Sequence, residues 1–336
     1  MPAAVSLLDL AYLAPAALET LRATHEARIL GVVAFGAEAP SLAAPDFPYA
    51  WVDMPVLGTG PVLETWSSAD PVIRDDSGGI ASARNAEVLF GCIQLDRADL
   101  EAASYDAYAR IFDFVDSRGF PHLLRAWNYF PAINGIADGL ERYQSFCRGR
   151  HEAFAAKGRV IGQDTPAASA LGCRSGPLTV YFVAARNAGR RVENPRQTSA
   201  YHYPPQYGPR SPTFSRGMLM RDPAGARLFI SGTAGIVGHE TQHRDRPDEQ
   251  ARETMENIHA VIAEAGIGAV TRGAAGARLS MKAYVRHPDY VPAVQRGVQA
   301  AFGKRAEVVY LQADICRADL LLEVEAVYHA LATAQP

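Results

Sequence analysis

The stretch that decides the fold is Leu320-Leu321-Leu322-Glu323-Val324-Glu325-Ala326-Val327-Tyr328, read together with Ser231-Gly232-Thr233-Ala234-Gly235. Between them lie a helical pattern, Glu256-Asn257-Ile258-His259-Ala260-Val261-Ile262, closed by Gly266, and an alternating run from Arg278 to Arg286. A strand with a glycine corner, a helix, a strand, a helix and a last strand make one small α+β module. Period-2 alternation places Glu323 and Glu325 on one face of the last strand, opposite Leu322 and Val324. An acid inside so apolar a run either faces water or is held for use.

Working outward, the first half has the same order of elements. A strand (87–95), a helix (105–117) stopped by Gly119, a strand (124–130) ended by Pro131, a helix (140–156) and a strand (178–185) follow one another. Lys282-Ala283-Tyr284 echoes Arg125-Ala126-Trp127, and Glu323 echoes Tyr181, so only the second module carries the acid. The expected fold class is therefore α+β, with two β-α-β modules in tandem, each a mixed sheet with helices on one face. The expected division is residues 1–200 and 201–336. The Ala/Pro-rich first 80 residues should pack against the first module.

Bulk properties exclude several classes. The chain has 336 residues, 48% hydrophobic and 21% charged, with a formal net charge of −3. That balance gives no reason to expect a nucleic-acid partner or an anionic membrane surface. No apolar run reaches the roughly 18 residues of a membrane span. The N-terminus lacks the basic region of a signal peptide. Cys92, Cys147, Cys173 and Cys316 form no C-x-x-C pair and read as reduced thiols, which points to the cytoplasm.

Several segments offer chemistry. His239-Glu240-Thr241-Gln242-His243 matches H-E-x-x-H, a zinc hydrolase signature that requires a helix. Gly238 before it and the polar run after it argue for a loop, and no metal is expected. Arg278, Ser280, Lys282, Tyr284 and Arg286 share one strand face, either solvated or the basic wall of an anion pocket. The proline-rich segment 194–216 carries Tyr207, Arg210 and Arg216 among its aromatic and guanidinium groups, suited to an unsaturated ring bearing carboxylates. The small residues Ala234 and Gly235 at the glycine corner would let a ligand approach the backbone.

The second module resembles the reactive-intermediate deaminase (YjgF-like) family, through its S-G-x-x-G corner, its E-N-I-x-A-V-I-x-E-A-G helix and its final L-x-E-x-E-A strand. Val308 and Val309 stand where that family places a carboxylate-binding arginine, which argues against plain deaminase chemistry. Over nearly the whole chain the closer resemblance is to the chorismatase family. It is carried by Arg125-Ala-Trp-Asn-Tyr-Phe-Pro-Ala-Ile-Asn134, Glu141-Arg-Tyr-Gln-Ser-Phe146, the run from Tyr207 to Arg216, Ser231-Gly-Thr-Ala234 and Ala313-Asp-Ile-Cys316-Arg317 through Glu323. This resemblance implies chorismate as substrate, Glu323 as general acid and no cofactor. A cysteine matching Cys316, with a glycine nearby for which Gly235 or Ala234 is the candidate, implies 3-hydroxybenzoate and pyruvate as products. The alternatives are hydrolysis to a dihydroxycyclohexadiene carboxylate, mixed 3- and 4-hydroxybenzoate, or a YjgF-like ligand-binding protein without turnover. Arg210, Arg216 and Arg286 are the nominated partners of the two carboxylates, with Tyr207 as ring wall and Tyr284 beside it. The expected assembly is a monomer or small homo-oligomer.

Overall fold

The computed structural model describes residues 7–40, 45–222, 225–267 and 277–331. The N-terminal segment contains β1 (Asp9–Leu13), α1 (Pro15–His25), β2 (Ile29–Gly36), β3 (Tyr49–Asp53) and β4 (Val62–Ser67). The first module has β5 (Ile73–Ser77), β6 (Ile80–Arg84), β7 (Val88–Leu95), α2 (Leu100–Ser117), β8 (His122–Pro131), the short hairpin β9 (Ile136–Ala137) and β10 (Leu140–Glu141), α3 (Arg142–Ala156), β11 (Ala167–Cys173) and β12 (Leu178–Ala185). The second has β13 (Arg190–Val192), β14 (Gly217–Asp222), β15 (Gly225–Thr233), the hairpin β16 (Ile236–Val237) and β17 (Glu240–Thr241), α4 (Pro247–Ala265), β18 (Ala277–Val285), α5 (Val291–Phe302), β19 (Ala306–Gln312) and β20 (Leu322–Leu331).

The sheet orders are β11-β8-β12-β7-β6-β5 and β13-β14-β15-β20-β18-β19. In each, a parallel pair (β8 with β11, β18 with β19) sits beside an antiparallel closing strand, β12 or β20. The tandem repeat read from the sequence is thus one topology used twice. The N-terminal sheet, β1-β4-β2-β3, repeats the four strands β7-β12-β8-β11 and β15-β20-β18-β19 a third time, with β2 and β3 parallel and β4 antiparallel between β1 and β2. Among the described residues it has no helix between β2 and β3. It packs on the first module, where a side chain at Gly31 would strike Phe90, and also extends the second module's edge, with Leu57 N donating to Tyr310 O at 2.8 Å.

Local chemistry sets the element ends. Asp99 caps α2 by accepting from Ala102 N at 3.0 Å, so the helix begins five residues before the expected start. Pro247 opens α4, and Gly266, at φ 63°, closes it in the left-handed conformation. Helices cover only the outer face of each large sheet. Leu279, Met281, Ala283 and Val285 pack there against α4 and α5 residues such as Ile258 and Val294.

The inner faces of all three sheets meet in one common core. This settles the alternating face of β18. It is neither solvated nor an anion-pocket wall, because Ser280, Lys282 and Tyr284 point into the inter-sheet centre and are buried. There, Lys282 lies 2.5 Å from Glu64 of β4 and 2.9 Å from Glu325 of β20, while Arg125 of β8 lies 2.7 Å from Glu325. A charge buried this way costs several kcal/mol unless paired and hydrogen-bonded. Trp66 and Tyr181 donate to Glu64, and Trp127 donates to Glu325 at 2.7 Å, which supplies those bonds.

Candidate active site

The first and second modules meet along β11 and β15. Ala168 N donates to Ser231 Oγ at 2.9 Å and Gly232 N donates to Ser169 Oγ at 3.0 Å. At this seam opens a cavity of about 300 Å³, at the lower end of ligand-pocket sizes. Its walls come from α3, β11, segment 203–216, the glycine corner and the loop between β19 and β20.

Glu323 projects into this cavity from β20 and is 4% exposed. Burial, then the neighbouring Glu325 carboxylate, push its pKa up to about 8 from the usual 4.5. Glu325 is driven the opposite way: burial raises it, but Lys282 and Arg125 outweigh that and hold it below the usual range. Two carboxyls two residues apart on one strand face are thus pushed apart, one ionised and one protonated at neutral pH. That split is how acid and base roles are separated in acid–base catalysis. Gly232 makes it sterically feasible, since a methyl built there would overlap Glu323 Oε1.

The loop carrying Cys316 and Arg317 is stapled in place. Arg286 donates to Leu320 O at 2.9 Å and to Arg317 O at 3.0 Å, and pairs with Asp314 at 2.6 Å. Gln250 of α4 accepts from Leu321 N at 2.9 Å. This sets Cys316 Sγ 3.8 Å from Glu323 Oε2. Burial, then the Glu323 charge, push the thiol pKa up, so the thiol stays neutral and is a donor rather than a thiolate.

Three guanidinium groups face the cavity, and none is in an ion pair with a carboxylate among the described residues. Arg150 is 3% exposed, lies 4.5 Å over the Tyr108 ring and leaves Nε and Nη2 without partners. Arg216 donates to Thr198 O and Tyr203 Oη, with Nε unpartnered. Arg317 lies 4.0 Å over the Tyr207 ring and donates to His239 O, with Nη2 unpartnered. Buried cations with spare donors form a site for anions. Tyr143, Phe146 and Phe214 add apolar walls.

Of the residues selected from the sequence, Glu323, Cys316, Tyr207, Arg216 and Ala234 line this cavity. Four do not. Tyr284 lies in the inter-sheet core with its hydroxyl 2.7 Å from Tyr129, because the whole polar face of β18 turns there. Arg286 is occupied by loop carbonyls. Gly235, in the link between β15 and β16, packs against Gln250 of α4 and does not line the cavity. Arg210 follows the turn at Gly208 (φ 130°) to the surface, about half exposed and 4.0 Å from Glu152. Arg150 and Arg317 escaped the sequence reading as site residues, as did the room that Gly232 makes for Glu323. Arg150 did leave a signal, as it stands on the same helical stripe as Phe146, Ala153 and Phe154.

The H-E-x-x-H segment is not helical. His239 follows Gly238 in the β16–β17 turn, and its Nδ1 lies 3.2 Å from Tyr207 Oη. His243, at φ 52°, pairs instead with Glu249 at 2.9 Å. The one-face geometry that a zinc hydrolase requires is not formed.

The chain matches a family model, Chorismatase FkbO/Hyg5-like, N-terminal, over residues 64–184. It is 42% identical over 273 residues to a Streptomyces rapamycinicus chorismatase, covering 79% of this chain and 81% of the relative. The chain belongs to the chorismatase family. A Streptomyces hygroscopicus protein named 3-hydroxybenzoate synthase is 36% identical over 311 residues, covering 89% of this chain and 91% of its own. A crystal structure of a chorismatase superposes with a TM-score of 0.86 at 32% identity, covering 97% of this chain and 99% of that one. The expected fold class, two α+β modules in tandem, each a mixed sheet with helices on one face, holds with it. Among the described residues no helix is long and apolar enough to cross a membrane.

Proposed function

We propose that the seam cavity binds chorismate and converts it to 3-hydroxybenzoate and pyruvate, with Glu323 as the general acid. The observation that carries this reading is a buried carboxyl, its pKa pushed up to about 8 by burial and Glu325, in a cavity of ring size that also holds three cationic groups with spare donors. Chorismate is a dianion bearing an enol ether. Its two carboxylates match the guanidinium set Arg150, Arg216 and Arg317. Proton transfer from Glu323 to the enol methylene gives an oxocarbenium ion and turns pyruvate into a leaving group. Chorismate and the pair of products contain the same atoms, so this route consumes no water. Residues 201–336 carry the acid, residues 1–200 supply Arg150 and Ser169 on the facing wall, and four free cysteines fit a cytoplasmic setting.

Product analysis tests the reading. Purified protein given chorismate should release pyruvate and 3-hydroxybenzoate in equal amounts; pyruvate without any hydroxybenzoate would reject the assignment. Cys316→Ala shortens the side chain beside Glu323 and makes room for a water. It should retain pyruvate release while 3-hydroxybenzoate becomes a minor product beside the hydrolysed diene diol, as seen by chromatography. Arg150→Met removes charge-assisted bonds worth about 1.5–3 kcal/mol, so kcat/KM should fall about tenfold to a hundredfold, chiefly through KM.

A further inference from the structure

Glu323 is fed by a charge chain that begins far outside the cavity. Glu64, on β4 of the N-terminal segment, lies 2.5 Å from Lys282 Nζ; Lys282 lies 2.9 Å from Glu325; Glu325 lies 2.7 Å from Arg125. All four are buried. Two acids and two bases sum to zero, so the cluster is neutral only while Glu323 keeps its proton. Ionising Glu323 would add a buried negative charge that these four groups do not balance; Arg216, outside the cluster, offsets it only in part, and burial and Glu325 still hold the proton on. We propose that Glu64 is a positioning residue for the reaction: it balances Lys282, so that anionic Glu325 is not over-neutralised and the proton stays on Glu323. This gives the N-terminal segment a part in the chemistry although Glu64 does not line the cavity. The proposal rests on the reading of Glu323 as the acid.

The groups facing the chain are accounted for. Around Glu323 stand Glu325 on its own strand, Arg125 of β8, Arg216 before β14, Cys316, Arg317 and Asp319 of the loop, Glu141 of β10, and Tyr143, Cys147 and Arg150 of α3. Around Glu325 and Glu64 stand Lys282 and Tyr284 of β18, Tyr129 of β8, Tyr181 of β12 and Tyr12 of β1. The phenols have their pKa values raised by burial and remain neutral. Charge on the chain is therefore set by the two acids and two bases.

The test is the alkaline limb of kcat/KM against pH in the full-length protein. In the wild type it should fall with a midpoint near the value of about 8 set for Glu323. In Glu64→Gln, which retains an oxygen to accept from Trp66, the limb should move acidward by about one pH unit, giving about a tenfold relative loss above the midpoint. Glu325→Gln removes the adjacent charge and should move it further. Glu64→Gln combined with Lys282→Met restores the neutral sum and should return the limb toward its original place. A carboxylic C=O infrared band absent in Glu323→Gln should titrate with the same midpoints, which reads the proton without turnover. Folded Glu64→Gln and Glu325→Gln proteins that lose activity equally at every pH, with the limb and the band unmoved, would overturn the proposal. Failure of the underlying reading is distinct: Glu323→Gln would then retain turnover.

Discussion

Glu323→Gln is expected to lower kcat on chorismate by about 10²- to 10⁴-fold while leaving the protein folded, the range that a positioned general acid contributes. Glutamine matches the carboxyl in size and can keep the contact with Cys316, so the cavity keeps its shape. What it cannot do is lose a proton to the enol methylene. The same substitution should reverse a stability trend. Folding raises the Glu323 pKa from 4.5 to about 8, so between these values the native state binds more protons than the unfolded chain. Stability contributed by this group is then complete below pH 4.5 and declines as pH rises through 8. Thermal melts should show Glu323→Gln gaining on the wild type as pH goes from 5 to 8.5. A variant with near-normal turnover, or with an unchanged melting difference across that range, contradicts the assignment of a buried acid.

Gly232→Ala should come close to the same loss of activity by a different route. The new methyl would overlap Glu323 Oε1 and come within 3.2 Å of Ser169 Oγ. Gly232 does not occupy the left-handed backbone region, so alanine is tolerated by the main chain. The atom in the way is the tip of a side chain, which can swing aside. The fold should therefore survive with a loss in the range of ordinary small-to-large substitutions, about 1–3 kcal/mol. The carboxyl, however, is displaced from its aim, and misplacing a catalytic group by about 1 Å can cost on the order of 10²-fold. A crystal structure should show the rotated Glu323. Normal kcat in Gly232→Ala would mean that the acid has slack in its position, contrary to its close packing.

The parts of the fold that were legible were those with a clean period. Alternation in Arg278 to Arg286 and in Leu320 to Tyr328 gave two strands and their faces, and the glycine stops gave the helix ends. The acid was legible because a charged residue within a buried run has few innocent explanations. What those polar faces touch was not, because alternation says which side chains point together and not what lies opposite them. Lys282 and Tyr284 met two other sheets there instead of ligand or solvent. The third repeat escaped because its described residues between β2 and β3 form no helix, so the 3.6-residue signal that marked the other two copies is missing there. Arg150 escaped for a related reason: on a helix an arginine reads as a surface residue until something shows it to be buried.

The threefold recurrence of one strand order has a consequence for how such a site is made. Three identical subunits around an axis would present three identical seams, and any residue placed in one would appear in all. A single polypeptide is free of that constraint. Here the seam between β11 and β15 holds Glu323, the proton donor we propose, while the position equivalent to Glu323 in the first module is Tyr181, whose hydroxyl donates to Glu64. On that proposal, covalent linkage lets one junction specialise in turnover and leaves the others to hold the architecture and its internal charges in balance.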